Sequence, residues 1–222
     1  MEIKFRDLIL ILFVAALVVL MDVVTMPILV GYYHQVSTIV FFDDFVVVFL
    51  AGLAGILFAP RVSCPLWLRR STNSSKLGRA AYSSPILGFS VVVINTVVNL
   101  VYFTGCRSYV LQVSPWLAFL TPEIALAISF RAALNEEVLF RLFLFPLVAW
   151  MVGRLVHSQE LPLVTGALTS SIVCGLIHPG FSMAFLVGLA LVYVYYRSGL
   201  ISAMTVHFFA DAIPFAAISM IL

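Results

Sequence analysis

Apolar stretches of about twenty residues follow one another along most of the chain and constrain its fold more than any other feature. A backbone in lipid must satisfy its own hydrogen bonds, so such stretches form helices. The windows lie at 8–32, 39–59, 85–106, 115–134, 137–156, 161–178, 181–196 and 200–221. They predict an all-α, polytopic transmembrane bundle of about eight helices. The count is seven if a weaker window, 39–59 or 181–196, does not span.

The composition agrees with a membrane protein. The chain has 222 residues, of which 63% are hydrophobic and 10% charged, and a soluble core of that size cannot bury so much apolar surface. No internal repeat or soluble domain is visible, which predicts one transmembrane domain over 1–222. The net charge of +2 gives no support for nucleic-acid binding, and lipid is the expected surrounding partner.

Charge asymmetry between the loops predicts the orientation. Residues 60–84 carry Arg61, Arg69, Arg70, Lys76 and Arg79 with no acid, whereas the 32–44 connection carries Asp43 and Asp44 with no base. The positive-inside rule places 60–84 and the N-terminus in the cytoplasm, with the C-terminus also inside if there are eight spans. The short loops favour a bacterial or archaeal inner membrane over the endoplasmic reticulum.

Polar side chains inside the apolar windows are the candidate functional residues, because a charge in a membrane is costly and is kept for a purpose. They are Asp22, Asn95, Asn99, Glu123, Glu136, Glu137, Arg141, His178, His207 and Asp211. Asp22, Asn95 and Asn99 are also explained as polar contacts between helices. Glu123 is also explained as a first-turn acid that the helix dipole favours. Cys64, Cys106 and Cys174 have no metal or redox spacing, so no disulfide is expected.

The segment 130–145 holds an adjacent glutamate pair followed by an arginine. On a helix, Glu137 and Arg141 are four residues apart and share a face, so we expect an ion pair between them. Glu136 is turned by about 100° from Glu137. This predicts that Arg141 keeps Glu137 ionised while Glu136 faces a different environment and is free for chemistry.

Two histidines follow on later helices. His207 and Asp211 are also four apart, and His178 stands immediately before Pro179 and Gly180, where a helix must stop. A helix end at membrane depth is tolerated only where it lines a cavity or is buried in protein. We therefore expect these residues to meet Glu136 in a common interior.

A carboxylate and two imidazoles in a pocket of low dielectric suit the activation of water for attack on a carbonyl. Peptide hydrolysis fits this set. The same side chains, Glu136, His178, His207 and Asp211, also resemble a catalytic zinc site. The residues alone leave open whether no cofactor is needed or a divalent cation is bound.

The motifs resemble those of the CAAX protease and bacteriocin-processing family of intramembrane endopeptidases, also called CPBP or Abi, which includes type II CAAX prenyl proteases. The family pattern is EExxxR, FxxxH and HxxxN. Here Glu136-Glu137 to Arg141 keeps the first motif, Cys174 replaces the phenylalanine before His178, and His207 is followed by Asp211 in place of asparagine. The resemblance covers about 115–215.

The resemblance implies an eight-helix bundle in which Glu136 activates water, His178 helps position it, and His207 and Asp211 face the scissile carbonyl. Glu137 and Arg141 would be the supporting pair, and no metal would be essential. An ionised Asp211 cannot donate to an oxyanion as asparagine does, so it would be protonated, orient His207 or bind a cation. That change makes a metal more plausible here than in the family at large.

Three functions are therefore open. The first is an intramembrane endopeptidase that cleaves a membrane-associated or lipidated substrate, such as a prenylated CAAX-type tail or a leader peptide. The second is a non-proteolytic scaffold or immunity protein of the same fold. The third is an ion- or proton-coupled transporter, although no repeated half supports it.

Overall fold

The described chain is helical almost throughout, as the apolar windows predict. The computed structural model describes residues 4–33, 38–68 and 74–222, without the side chains of 27–33, 38–41 and 74–84. Arg69 and Arg70 of the predicted basic loop lie outside the described residues. The α-helices are α1 Phe5–Tyr33, α2 Thr38–Phe58, α3 Ser74–Gly105, α4 Arg107–Val113, α5 Pro122–Glu136, α6 Phe145–Gly153, α7 Leu161–Leu176, α8 Phe181–Ser198 and α9 Leu200–Ser219. These ranges contain no strand, which confirms the all-α class.

A π-helical segment, Glu137–Leu144, joins α5 to α6 without a break. The residues on either side keep right-handed helical angles, with φ −70° and ψ −36° at Glu136 and φ −58° and ψ −54° at Phe145. The windows 115–134 and 137–156, predicted as two spans, therefore form one helical rod. We call this rod, Pro122–Gly153, the central helix. The charged residues at the junction of the two windows find partners inside the bundle.

Five helical stretches among the described residues are long and apolar enough to cross a membrane. They are Phe5–Met26, Phe42–Val62, Pro85–Gly105, Phe181–Ser198 and Leu200–Ser219. The apolar helix α7 is shorter, and the central helix carries the charges. The chain is therefore an integral, multi-pass membrane protein.

The second half of the predicted loop 60–84 is helical, because α3 begins at Ser74. Its first two turns contain Lys76, Leu77, Arg79 and the pair Ala80-Ala81, which are good helix formers. The serines at its start, Ser74 and Ser75, are weaker helix formers and do not outweigh them.

Hydrogen bonds between distant segments identify the two ends of the bundle. The Trp67 indole donates to Asp7 at 2.9 Å, and the Trp67 carbonyl accepts from the Ile201 amide at 3.1 Å. The starts of α1 and α9 and the segment after α2 thus share one end. At the other end, Arg107 donates to the Leu222 carbonyl at 3.0 Å.

The described chain therefore begins at one end of the bundle and finishes at the other, after seven helical runs along it: α1, α2, α3, the central helix, α7, α8 and α9. The C-terminus was expected on the side of the N-terminus only for eight spans, and that condition is not met because two predicted spans form one helix. We call the end that contains Trp67 the basic end. Among the residues whose side chains are described, it carries Arg6, Arg61, Arg154 and Arg197. The opposite end, with Arg107, is the far end.

Two glycines bring neighbouring helices close to the central helix. A Cβ on Gly55 of α2 would lie 2.6 Å from the Leu142 carbonyl oxygen. A Cβ on Gly166 of α7 would lie 2.6 Å from the Phe145 carbonyl oxygen. No real Cβ approaches so closely, so these positions need glycine. The close contact holds the π-helical segment between α2 and α7, while α1 and α9 pack against α5.

Candidate active site

The glutamate pair lies at the start of the π-helical segment, near the middle of the central helix. Glu137 and Arg141 are almost fully buried, whereas the Glu136 side chain is 18% exposed. The predicted ion pair is present, with Arg141 Nη1 3.1 Å from Glu137 Oε1. Arg141 Nε and Glu137 Oε2 are buried without a hydrogen bond within the protein.

His207 of α9 bridges the two glutamates. Its Nδ1 lies 2.7 Å from Glu137 Oε1 and donates to that oxygen, since a carboxylate can only accept. Its Nε2, on the other side of the ring, lies 4.0 Å from Glu136 Oε2 and 3.3 Å from Asp211 Oδ2. The ring is therefore oriented by Glu137, and Nε2 is directed towards Glu136 and Asp211.

His178 repeats this arrangement from the end of α7. Its Nδ1 donates to the Cys174 carbonyl at 2.7 Å, one helical turn back, and its Nε2 lies 3.5 Å from Glu136 Oε1. The helix ends here because Pro179 and Gly180 follow. The Glu136 carboxylate thus stands between the Nε2 atoms of two imidazoles, each held through its Nδ1.

The structure brings together the six residues that the sequence singled out: Glu136, Glu137, Arg141, His178, His207 and Asp211. The two glutamates share one neighbour, because the His207 ring lies between the two carboxylates with its opposite nitrogens towards them. The two acids differ in exposure, and only Glu136 retains an accessible surface.

The remaining polar candidates lie outside this cluster. Asn95 donates to the Ala210 carbonyl at 2.8 Å and links α3 to α9, while Asn99 donates within α3 to the Asn95 carbonyl. Glu123 is exposed in the first turn of α5, next to Thr121, whose side chain accepts from the Ile124 amide. These contacts are structural.

Arg131 was missed by the sequence analysis. It lies on α5 and pairs with Asp22 of α1 and Asp44 of α2. Asp22 is fully buried, and one of its oxygens has no hydrogen-bond partner within the protein. A basic residue inside an apolar window, five positions before Glu136, was the signal that could have identified this network.

Two overlapping groups could hold a cation. Ligand atoms of Glu136, Cys174 and His178 lie within 4.8 Å of one another, whereas the set expected from sequence was Glu136, His178, His207 and Asp211. Glu136 and His178 belong to both. In metal sites, a ligating histidine commonly donates its other ring N–H to a carboxylate or carbonyl. His178 and His207 both do so. Imidazole nitrogens, a thiolate and carboxylate oxygens are the ligand atoms that zinc prefers.

The fold and this site define a polytopic helical membrane protein with a carboxylate–imidazole cluster inside the bundle. Residues 116–213 match the family model described as Rce1-like, type II CAAX prenyl endopeptidase. The match contains all three motifs and confirms the family resemblance over a segment a little shorter than half the chain. That family is a family of proteases. No curated protein and no solved structure matches the chain.

Proposed function

We propose that the chain is an intramembrane endopeptidase in which Glu136 activates water. The observation that carries the proposal is the position of this carboxylate, 3.5 Å from His178 Nε2 and 4.0 Å from His207 Nε2, with surface still accessible. A water molecule that reaches this surface can donate to the carboxylate. The adjacent Glu137 has no accessible surface and is already bonded.

The hydrolysis needs one base and one stabiliser of negative charge. Glu136 accepts a proton from water as the oxygen bonds to the peptide carbonyl carbon, and the carbonyl oxygen becomes an oxyanion. Imidazolium Nε2–H groups of His178 and His207 donate to that oxyanion. The C–N bond then breaks, and Glu136 returns its proton to the leaving amine.

The other cluster residues position these groups. Glu137 holds the His207 ring by its Nδ1, and Arg141 balances the buried charge of Glu137. Asp211 lies 3.3 Å from His207 Nε2 and orients the ring from its other side. In this role the aspartate replaces the asparagine of the family pattern without being required to donate to the oxyanion.

A second candidate is a metal-dependent form of the same hydrolysis. It is supported by the two histidines whose Nδ1 atoms are both engaged and whose Nε2 atoms both face Glu136. A divalent cation such as zinc, held by Glu136, His178, His207 and Asp211, would polarise the carbonyl and lower the pKa of water.

The decisive experiment is cleavage of membrane-tethered, prenylated and leader peptides by purified protein, with and without a chelator. We expect Glu136→Gln to lower kcat by at least about 10²-fold, the usual contribution of a general base. The matched control is Glu123→Gln, an exposed acid on the same helix, which should leave the rate unchanged.

Activity that survives chelation and is lost in Glu136→Gln supports the metal-independent reaction. Activity lost on chelation and restored by zinc supports the second candidate. If wild-type protein cleaves none of the peptides and Glu136→Gln behaves identically in every respect, the scaffold interpretation replaces the enzyme.

A further inference from the structure

Cys174 places a sulfur beside the proposed catalytic base. Ligand atoms of Glu136, Cys174 and His178 lie within 4.8 Å of one another. The cysteine is 4% exposed and belongs to α7, which ends just before His178, while Glu136 comes from the central helix. Two neighbouring helices thus bring together one sulfur, one imidazole and one carboxylate.

His178 has one ring nitrogen free to bind a ligand. Its Nδ1 donates to the Cys174 carbonyl at 2.7 Å, and its Nε2 lies 3.5 Å from Glu136 Oε1. In metal sites the second nitrogen of a ligating histidine is commonly engaged in this way, which fixes the ring and raises its basicity. The His178 side chain is 35% exposed, so the ring is accessible from outside the bundle.

The Glu136 carboxylate divides the cluster into two sides. Its Oε1 faces His178, one helical turn from Cys174, whereas its Oε2 faces His207 at 4.0 Å. His207 Nε2 is nearer to Asp211, at 3.3 Å, than to Glu136. A cation on the side of His178 can therefore bind a sulfur, and a cation on the side of His207 and Asp211 cannot.

The ligand atoms select the class of ion. A thiolate and an imidazole bind zinc and its softer congener cadmium, whereas magnesium and calcium require mainly oxygen ligands. Three protein ligands leave the fourth position of a tetrahedral zinc ion for water. The family pattern has phenylalanine where this chain has Cys174, so the sulfur ligand belongs to this chain and not to the motif.

We propose that Glu136, Cys174 and His178 form an inhibitory site for zinc or a similar soft divalent cation. The inference rests on the proposed function, because it concerns the same carboxylate. On binding, the thiol and the His178 Nε2 release their protons to solvent, and the sulfur, Nε2 and one Glu136 oxygen each give an electron pair to the ion. Glu136 then accepts no proton from water, and His178 has no Nε2 hydrogen for the oxyanion.

Two features make this ion inhibitory and not catalytic. The anionic thiolate and carboxylate cancel its double positive charge, which weakens the acidification of a bound water. No neighbouring acid replaces Glu136 as the base, since Glu137 is fully buried and bonded to His207, and Asp211 is engaged at His207 Nε2. The site thus differs from the second candidate, in which a cation drives the hydrolysis.

The first arm of the test measures binding without any activity. Metal-free purified protein is titrated with cadmium, and the thiolate-to-cadmium charge-transfer absorbance is followed in the ultraviolet. We expect one equivalent per chain, with the absorbance lost in Cys174→Ser and in Cys174→Ala. The matched controls Cys64→Ser and Cys106→Ser should keep it.

The same titration shows whether Glu136 is a ligand. Loss of an outer partner of a metal site lowers affinity by about 10–100-fold, so loss of a ligand should lower it at least as much. We therefore expect Glu136→Gln to raise the cadmium Kd by about 100-fold or more. Glu123→Gln, an exposed acid on the same helix, should leave the Kd unchanged.

The second arm measures peptide cleavage against zinc concentration, with each variant compared with its own rate in the absence of metal. We expect zinc to inhibit the wild type, a chelator to restore the rate, and Cys174→Ser to need about 100-fold more zinc for half-inhibition. Equal inhibition of the wild type and Cys174→Ser overturns the inference and leaves the proposed function intact. Stimulation by zinc also overturns it and supports the metal-dependent reaction.

If no peptide is cleaved, the proposed function fails and the binding arm alone decides the site. Absorbance that requires Cys174, with an affinity that requires Glu136, would support a cation site that engages this carboxylate. Absorbance that persists in Cys174→Ser, or an affinity unchanged in Glu136→Gln, would refute it.

Discussion

His207 donates its Nδ1 hydrogen to Glu137 across 2.7 Å, from α9 to the π-helical segment, between residues 70 positions apart in the chain. The bond holds Nδ1 against Glu137 and leaves Nε2 directed towards Glu136. Because Glu137 is also paired with Arg141, the orientation of the histidine depends on a buried charge pair that itself does not need to touch substrate.

Replacement of Arg141 by methionine should be strongly destabilising. It leaves the Glu137 carboxylate buried with only His207 as a partner, and breaking a buried pair costs about 3–5 kcal/mol. The double variant Glu137→Gln/Arg141→Met removes both charges and should recover part of that loss. Thermal unfolding in detergent measures both variants, and a strictly additive result would show that the two side chains are not coupled.

Asp211→Asn should remain active, with kcat lowered by less than about tenfold, equivalent to 1.4 kcal/mol. An amide can still contact His207 Nε2 and can also donate to an oxyanion. Asp211→Leu is the contrasting variant, since it removes the contact, and should lose more activity. If a cation is bound by this residue, Asp211→Asn would instead reduce the zinc content of the purified protein together with its activity.

Arg131→Gln should destabilise the bundle by about 3 kcal/mol or more, because it leaves the buried Asp22 without its counter-charge. The matched control is Arg107→Gln, whose bond to the Leu222 carbonyl is exposed and whose loss should change stability by no more than about 0.5 kcal/mol. Equal unfolding temperatures for the two variants would contradict a structural role for the Arg131 network.

Gly55→Ala should lower both stability and hydrolysis. The new Cβ would lie 2.6 Å from the Leu142 carbonyl oxygen, so α2 must move away from the π-helical segment at a cost of about 1–3 kcal/mol. Leu142 follows Arg141 directly, so the shift also disturbs the buried pair. Gly105→Ala, where a Cβ meets nothing within 4 Å, should leave both quantities unchanged.

Local spacing predicted much of this site. The Glu137–Arg141 pair and the end of α7 at His178 both follow from helix geometry and from proline, which act within one turn. The apolar windows likewise predicted the helices, because a membrane demands them. These features depend on neighbouring residues, which the sequence displays directly.

The features that were not predicted depend on partners far along the chain. The gap between the windows 115–134 and 137–156 predicted two helices, since hydropathy cannot distinguish a loop from a polar stretch whose partner, His207, is supplied by another helix. Arg131 was missed for the same reason, as its carboxylates come from α1 and α2. The number of helical runs along the bundle, and with it the end at which Leu222 lies, depended on that single junction.

The π-helical segment also limits how this region can change in length. Its i→i+5 bonding accommodates one residue more than an α-helix would over the same distance. Deletion of one residue between Arg141 and Leu144 would restore i→i+4 bonding over the same distance and keep α6 close to its present orientation. Trp150 would then keep its contact with Arg61 of the neighbouring connection. A further inserted residue would instead rotate α6 by about 100° about its axis, so this region tolerates the loss of a residue better than the gain of one.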